Sequence, residues 1–228
     1  MKRFPKPNSN EFIFGFIYFL LQLLVVPGII VAVNFMLPTP MPEAVLNFLC
    51  FAVNFVAVLV IFRKFLWKNI SPARERPWSV LRWAGIGFVI YMIGNTLFGW
   101  CVALLDPDIT NINDAVNMEM VQDHFGHMTV GTVILVPIVE ECFYRGLMFR
   151  GIYDKSPVLA YAVSMVFFSL AHVLGYVTIM DFGTLVLSFF QYLPAGFALA
   201  LAYRQSGSIY ASVLIHMTVN QMGMLLMR

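Results

Sequence analysis

Apolar residues in this chain come in long unbroken blocks. They neither alternate with period two nor follow one stripe of a helix. Seven blocks stand out, near residues 12–36, 44–66, 80–105, 128–149, 157–175, 184–203 and 208–227. Each holds about 20 residues, the length at which a helix crosses a hydrocarbon core of about 30 Å. In lipid every backbone N–H and C=O must find a partner within the protein, so an apolar block of this length must coil. The pattern predicts an all-α fold, a polytopic transmembrane helical bundle of about seven spans. Pro27-Gly28 lies inside the first block, where a kink is expected. The polar stretch 106–127, with Asp106, Asp108, Asp114, Glu119 and Asp123, reads as an external loop or a short surface helix.

Composition agrees with this reading. Of 228 residues, 60% are hydrophobic and 11% charged, and the mean hydropathy is +0.81. Soluble domains carry about 25% charged residues, so too little charge is present to coat a water-facing surface. The net charge of +2 is not gathered into a groove-like cluster, and no nucleic-acid partner is expected. Cys50, Cys101 and Cys142 all sit in apolar blocks without a CxxC pair, so they read as buried small hydrophobes rather than a disulfide framework.

The basic residues report orientation. Lys2, Arg3 and Lys6 precede the first block. Arg63, Lys64, Lys68, Arg74, Arg76 and Arg82 follow the second, Arg150 and Lys155 the fourth, and Arg204 the sixth. All fall on one side, which the positive-inside rule makes cytoplasmic. The amino terminus is then cytoplasmic and the carboxyl terminus external, with Arg228 as a small contrary signal. The first apolar run is too long for a signal peptide and lacks a small-residue cleavage site, so it reads as a retained span. The compact length and the absence of a targeting segment point to a prokaryotic plasma membrane.

Two parts emerge, 1–127 with the first three spans and the external loop, and 128–228 with the rest, in one membrane domain overall. Gln22, Asn34, Asn47, Asn54 and Asn95 read as interhelical hydrogen-bonding groups. The fourth block differs, because Glu140, Glu141 and Arg145 lie in it together. An ionisable residue at a helix centre costs roughly 2.5–3.5 kcal/mol, against a gain of about 0.3–0.6 for each Leu or Ile. Such groups usually face a wet cavity and carry function. Glu141 and Arg145, four apart, share a face and can pair. Glu140 sits about 100° around the helix from Glu141 and is left free as a base. Pro137 removes a backbone hydrogen bond just before the pair and predicts a bend. A buried structural ion pair is the alternative.

Two more blocks carry polar groups in register. Phe168 and His172 are four apart on the fifth, and His216 and Asn220 on the seventh. A carboxylate, two imidazoles and a carboxamide are enough for hydrolysis. Counted from the cytoplasmic helix ends at about 1.5 Å per residue, Glu140 and His216 lie about 12–14 Å deep and Asn220 about 18 Å. His172 lies at about 23 Å, and joins the others only if its helix tilts or starts later. His124 and His127, flanking Phe125-Gly126, read as surface residues of the external loop.

Glu140-Glu141-x-x-x-Arg145-Gly146, then Phe168-x-x-x-His172, then His216-x-x-x-Asn220 resembles the pattern of the CPBP family. Its members are type II CAAX prenyl endopeptidases and bacteriocin-processing or immunity proteins, also called Abi proteins. Tyr203 to Ile209 resembles the family's turn into its last catalytic helix. The resemblance covers about 128–228. It implies an intramembrane endopeptidase (a protease, EC-class hydrolase) acting on membrane-tethered, CAAX-like prenylated or bacteriocin-like peptides near the cytoplasmic face. Glu140 would activate water with help from His172, and His216 and Asn220 would hold the oxyanion. Glu141, Arg145 and Phe168 would support them. Members are often labelled metalloproteases, and Glu140, His172 and His216 could supply zinc ligands. No HExxH is present, and a metal-free glutamate base needing no cofactor is favoured. The rival functions are a non-catalytic bacteriocin immunity factor and a small proton-coupled transporter. Partners would be the lipid bilayer and a membrane-anchored peptide.

Overall fold

The computed structural model describes residues 4–105 and 112–228, with the backbone alone at 112–117, 119 and 123. Lys2, Arg3, Asp106 and Asp108, which entered the charge argument, lie outside the described residues, as do the side chains of Asp114, Glu119 and Asp123. Among the described residues every element is helical. α1 spans Ser9–Phe35, α2 Glu43–Ile61, α3 Arg63–Glu75 and α4 Pro77–Leu105. α5, Ile112–Thr129, leads without a gap through a π-helical turn at Val130–Leu135 into α6, Val136–Glu141. A second π-helical stretch at Cys142–Phe149 leads to α7, Arg150–Tyr153. α8 is Pro157–Val173 with a 3-10 turn to Tyr176, α9 is Phe182–Ser206 and α10 is Tyr210–Leu226.

The chain is an integral membrane bundle, but among the described residues five helices rather than seven are long and apolar enough to cross a membrane by themselves. They are α1, α2, α4, α8 with its 3-10 turn, and α9. The two missing are those that carry the glutamates and the His216/Asn220 pair. The first is divided by π turns, and α10 has only 17 residues, about 26 Å of helix. The block near 44–66 is also two helices. The chain turns at Phe62, and α3 runs on with Phe65 and Asn69 buried while Arg63, Lys64 and Lys68 face outward. That is the layout of a helix lying along the membrane surface. The stretch expected as a loop or short helix is helical from Ile112, with a break at His124. α1 continues as one helix through Pro27.

Large apolar side chains cover the outside of α1, α2 and α4, as lipid-facing surfaces require. Cys101 is exposed there and Cys50 is half-buried, so of the three cysteines only Cys142 is the buried hydrophobe expected; all three are free thiols. Inside, aromatic rings dominate: Phe62, Phe65, Phe143, Phe149 and Tyr203 are almost wholly enclosed. Of the mild polar residues, Asn54 accepts from the Tyr18 hydroxyl between α2 and α1 (2.8 Å), and Asn47 donates to Met120 Sδ (2.9 Å). Asn34 instead caps a loop, accepting from Met41 N at 2.7 Å.

α3 fixes the start of α10. Asn69 Oδ1 accepts from Ile209 N (2.9 Å), its backbone carbonyl accepts from Ser208 Oγ (2.9 Å), and its Nδ2 donates to Phe65 O (2.8 Å). Gly207 closes α9 at φ +78°, a left-handed conformation that favours glycine. The amino-terminal half therefore holds the helix that carries His216 and Asn220.

Candidate active site

The two glutamates face different surroundings, as one residue of helical rotation requires. Glu141 is fully enclosed, and its Oε1 meets Arg145 Nη1 at 3.1 Å. Glu140 retains 20% side-chain exposure and lines a cavity of about 660 Å³. Arg145 is equally enclosed, with its guanidinium carbon 4.6 Å from the centre of the Phe168 ring and Nη2 donating to Gly196 O at 3.4 Å. Phe168 thus covers the cation with its ring face, a favourable placement.

His172, His216 and Asn220 line the same cavity as Glu140. α8 starts at Pro157, so His172 does not reach the others by a later start. Side chains lean toward the amino end of their own helix. α8 and the stretch Val130–Tyr153 run in opposite directions, so His172 leans back toward the level of Glu140 while Glu140 leans toward His172. His172 Nδ1 lies 2.8 Å from Phe168 O one turn earlier, and its ring stacks on Tyr192 at 4.2 Å. A carbonyl only accepts, so Nδ1 carries the proton, and in the neutral ring Nε2 is left as an acceptor.

His216 joins both glutamates. Its Nδ1 donates to Glu141 Oε1 at 3.0 Å, and its Nε2 lies 3.8 Å from Glu140 Oε2. The sequence argument paired Glu141 with Arg145 alone; the structure adds His216 as a second partner from α10. Asn220 Nδ2 donates to Thr132 O at 2.7 Å. That carbonyl needs a partner because of Pro137. In the π turn, Val136 N donates five residues back to Gly131 O. The next donor in that register would be residue 137, whose ring has no N–H. Asn220 takes up the carbonyl that Pro137 leaves unpaired. The bend expected at Pro137 is therefore a π turn, a feature frequent at functional sites. Thr132 and Tyr192 were not singled out from the sequence; Pro137, five residues after Thr132, was the one available signal.

Among the described residues no three His, Cys, Asp or Glu side chains are arranged to hold a metal ion. With Nδ1 of His172 and of His216 bonded to Phe168 O and Glu141, their Nε2 atoms are the ones that could join Glu140 on a metal ion. His124 and His127 stand apart from the cavity, their rings 5.9 Å from each other.

The described helices form a transmembrane bundle whose cavity of about 660 Å³ is lined by a carboxylate, two imidazoles and a carboxamide. Residues 123–222, a little under half of the chain, match the family described as type II CAAX prenyl endopeptidase Rce1-like, and this match supports the CAAX-protease (CPBP) resemblance. No curated protein and no solved structure matches the chain.

Proposed function

We propose that the protein is an intramembrane endopeptidase of a prokaryotic plasma membrane, with its amino terminus in the cytoplasm, and that it hydrolyses a peptide bond in membrane-anchored, prenylated or bacteriocin-like peptides. One observation carries this reading: Glu140, His172, His216 and Asn220 line one cavity, while the Glu141–Arg145 pair is sealed behind it. Groups this costly in lipid are otherwise hard to account for.

The chemistry follows from the donor inventory. Glu140 takes a proton from a water that His172 Nε2 orients as acceptor. The water oxygen bonds to the scissile carbonyl carbon, and the carbonyl oxygen gains the negative charge. Asn220 has a second Nδ2–H beyond the one given to Thr132 O, and this N–H is a donor for that oxygen. His216 can donate from Nε2 only as an imidazolium, because Nδ1–H already serves Glu141. After attack Glu140 is neutral and the oxyanion carries the charge. Collapse breaks the C–N bond, and Glu140 returns its proton to the leaving amine.

Purified protein in detergent, assayed on a membrane-anchored peptide, tests this. Glu140→Gln should abolish cleavage and leave peptide binding intact, and a chelator should not alter wild-type activity. Full activity in Glu140→Gln would leave the immunity or transport function standing instead. Loss of activity with chelator, restored by added zinc, would replace the metal-free mechanism.

A further inference from the structure

A groove apart from the active-site cavity lies between α1, α2 and the start of α3, with a volume of about 530 Å³. On α1 it is lined by Asn10, Phe14, Ile17 and Leu21, whose spacing of three and four residues puts them on one face. Phe12 points the other way, against Gly151 of α7. Phe4 and Lys6 lie on that other side too, beside Tyr153 and Asp154. Phe4 and Lys6 therefore pass behind α1 and leave the groove uncovered.

The chemistry of the groove changes along its length. Asn8, Asn10, Arg63 and Lys64 form a polar rim at the basic end, and Phe14, Ile17, Leu21 and Val60 form apolar walls beyond it. Leu24 and Val56, both exposed, continue this apolar surface one turn further. From Asn10 to Leu21 is eleven residues, roughly 16 Å of helix, which matches one leaflet of a hydrocarbon core about 30 Å thick. Trp67, one turn after Arg63 on the same face of α3, is exposed, as an aromatic anchor at the membrane interface is. The rim therefore sits at the level of lipid headgroups and the walls at the level of acyl chains.

Charge at the rim is uncompensated. Among the described residues, neither Arg63 nor Lys64 has a carboxylate within 4 Å. The acid in the lining is Glu11, and both of its oxygens are engaged: Oε1 accepts from Phe65 N at 2.6 Å and Oε2 from Asn8 N at 2.8 Å. Two free cations above an apolar trough suit a molecule with a phosphate at one end and a hydrocarbon chain at the other. Basic pockets between transmembrane helices hold anionic lipid headgroups in this way. We infer that the groove binds one anionic phospholipid, its phosphate at Arg63 and Lys64 and an acyl chain along Phe14, Ile17 and Leu21. Such a lipid braces the first turn of α3 against α1 and α2, the turn that Glu11 already ties to α1 through Phe65 N. The site is independent of the peptidase reading.

Purified, delipidated protein in detergent tests this. Phosphatidylglycerol, phosphatidylcholine with the same acyl chains, and glycerol phosphate are titrated separately, and bound molecules are counted by native mass spectrometry. One phosphatidylglycerol should bind at concentrations where phosphatidylcholine and glycerol phosphate stay free. The double variant Arg63→Gln/Lys64→Gln should weaken it about tenfold or more. Lys68→Gln/Arg74→Gln removes the same charge from α3 outside the groove and should change the affinity little. All four side chains are exposed, so both double variants should keep the melting temperature of the lipid-free wild type. Ile17→Trp fills the apolar wall, keeps both cations and should also weaken phosphatidylglycerol. Equal binding of the two phospholipids, or an equal loss in the two double variants, overturns the inference. So does glycerol phosphate bound as tightly as phosphatidylglycerol, which would mark a site for free phosphate, or full phosphatidylglycerol affinity in Ile17→Trp.

Discussion

At the scale of single residues, adjacent glutamates divide their work by helical phase. Glu140 faces the cavity, and Glu141 is enclosed with Arg145 and His216. Glu140→Gln removes a partly exposed carboxylate and should leave thermal stability near wild type. Glu141→Gln leaves Arg145 buried without its anion, which costs about 3–5 kcal/mol, and releases His216 Nδ1. Its melting temperature and yield should fall along with its activity; equal stability of the two variants would refute this division. Asn220→Ala has two effects. It strips the Thr132 carbonyl of its donor, at about 1–3 kcal/mol, and it removes an oxyanion donor, lowering kcat by about 10²–10³-fold. KM should change little, because the oxyanion exists only near the transition state. The phase of the glutamates was legible in the sequence, since it follows from 3.6 residues per turn. The His216–Glu141 and Asn220–Thr132 contacts were not. They join positions 75 and 88 residues apart, and only packing decides such pairs.

At the scale of elements, the π turn before α6 sets how Glu140 and Thr132 meet α10. Pro137→Ala supplies the missing N–H and gives the Thr132 carbonyl a partner within its own helix. Stability in detergent should be kept or raised, while turnover should fall as Asn220 is released and the phase of Glu140 shifts. Unchanged turnover would mean that the π turn has no part in positioning the site. Asn69 makes the corresponding test for α10. Asn69→Ala orphans Ile209 N–H, and a loss of about 1–3 kcal/mol is expected, read as a lower melting temperature. Most helices were visible as apolar blocks. The break at Phe62 has no glycine or proline to mark it; its one signal was Arg63-Lys64, after which Phe65 and Leu66 resume the apolar run. A changed hydrogen-bond register leaves little pattern in the sequence, and Pro137 was the one mark of the first π turn.

At the scale of the whole molecule, segments far apart in sequence close one end of the bundle. Phe4 packs against Tyr153 and Tyr203, and Arg150 both donates to its carbonyl and pairs with Asp154 at 2.9 Å. Phe4→Ala empties a site in a fully packed layer, where loss of a phenyl ring costs about 3–5 kcal/mol. A drop in melting temperature well beyond that of the exposed variant Phe35→Ala is expected; equal drops would show that the amino-terminal segment is only loosely held.

The sequence alone determined that the protein is an all-helical membrane bundle, because long apolar blocks have no other solution in lipid. It also singled out the side chains proposed to carry chemistry, because ionisable groups are costly in lipid. Tertiary structure decided the rest. It brought residues from three helices to one cavity, since opposed helix directions lean His172 and Glu140 toward each other. It gave Glu141 a second partner and Asn220 a carbonyl to hold. Each of these depends on distances across the bundle, which a linear pattern does not encode.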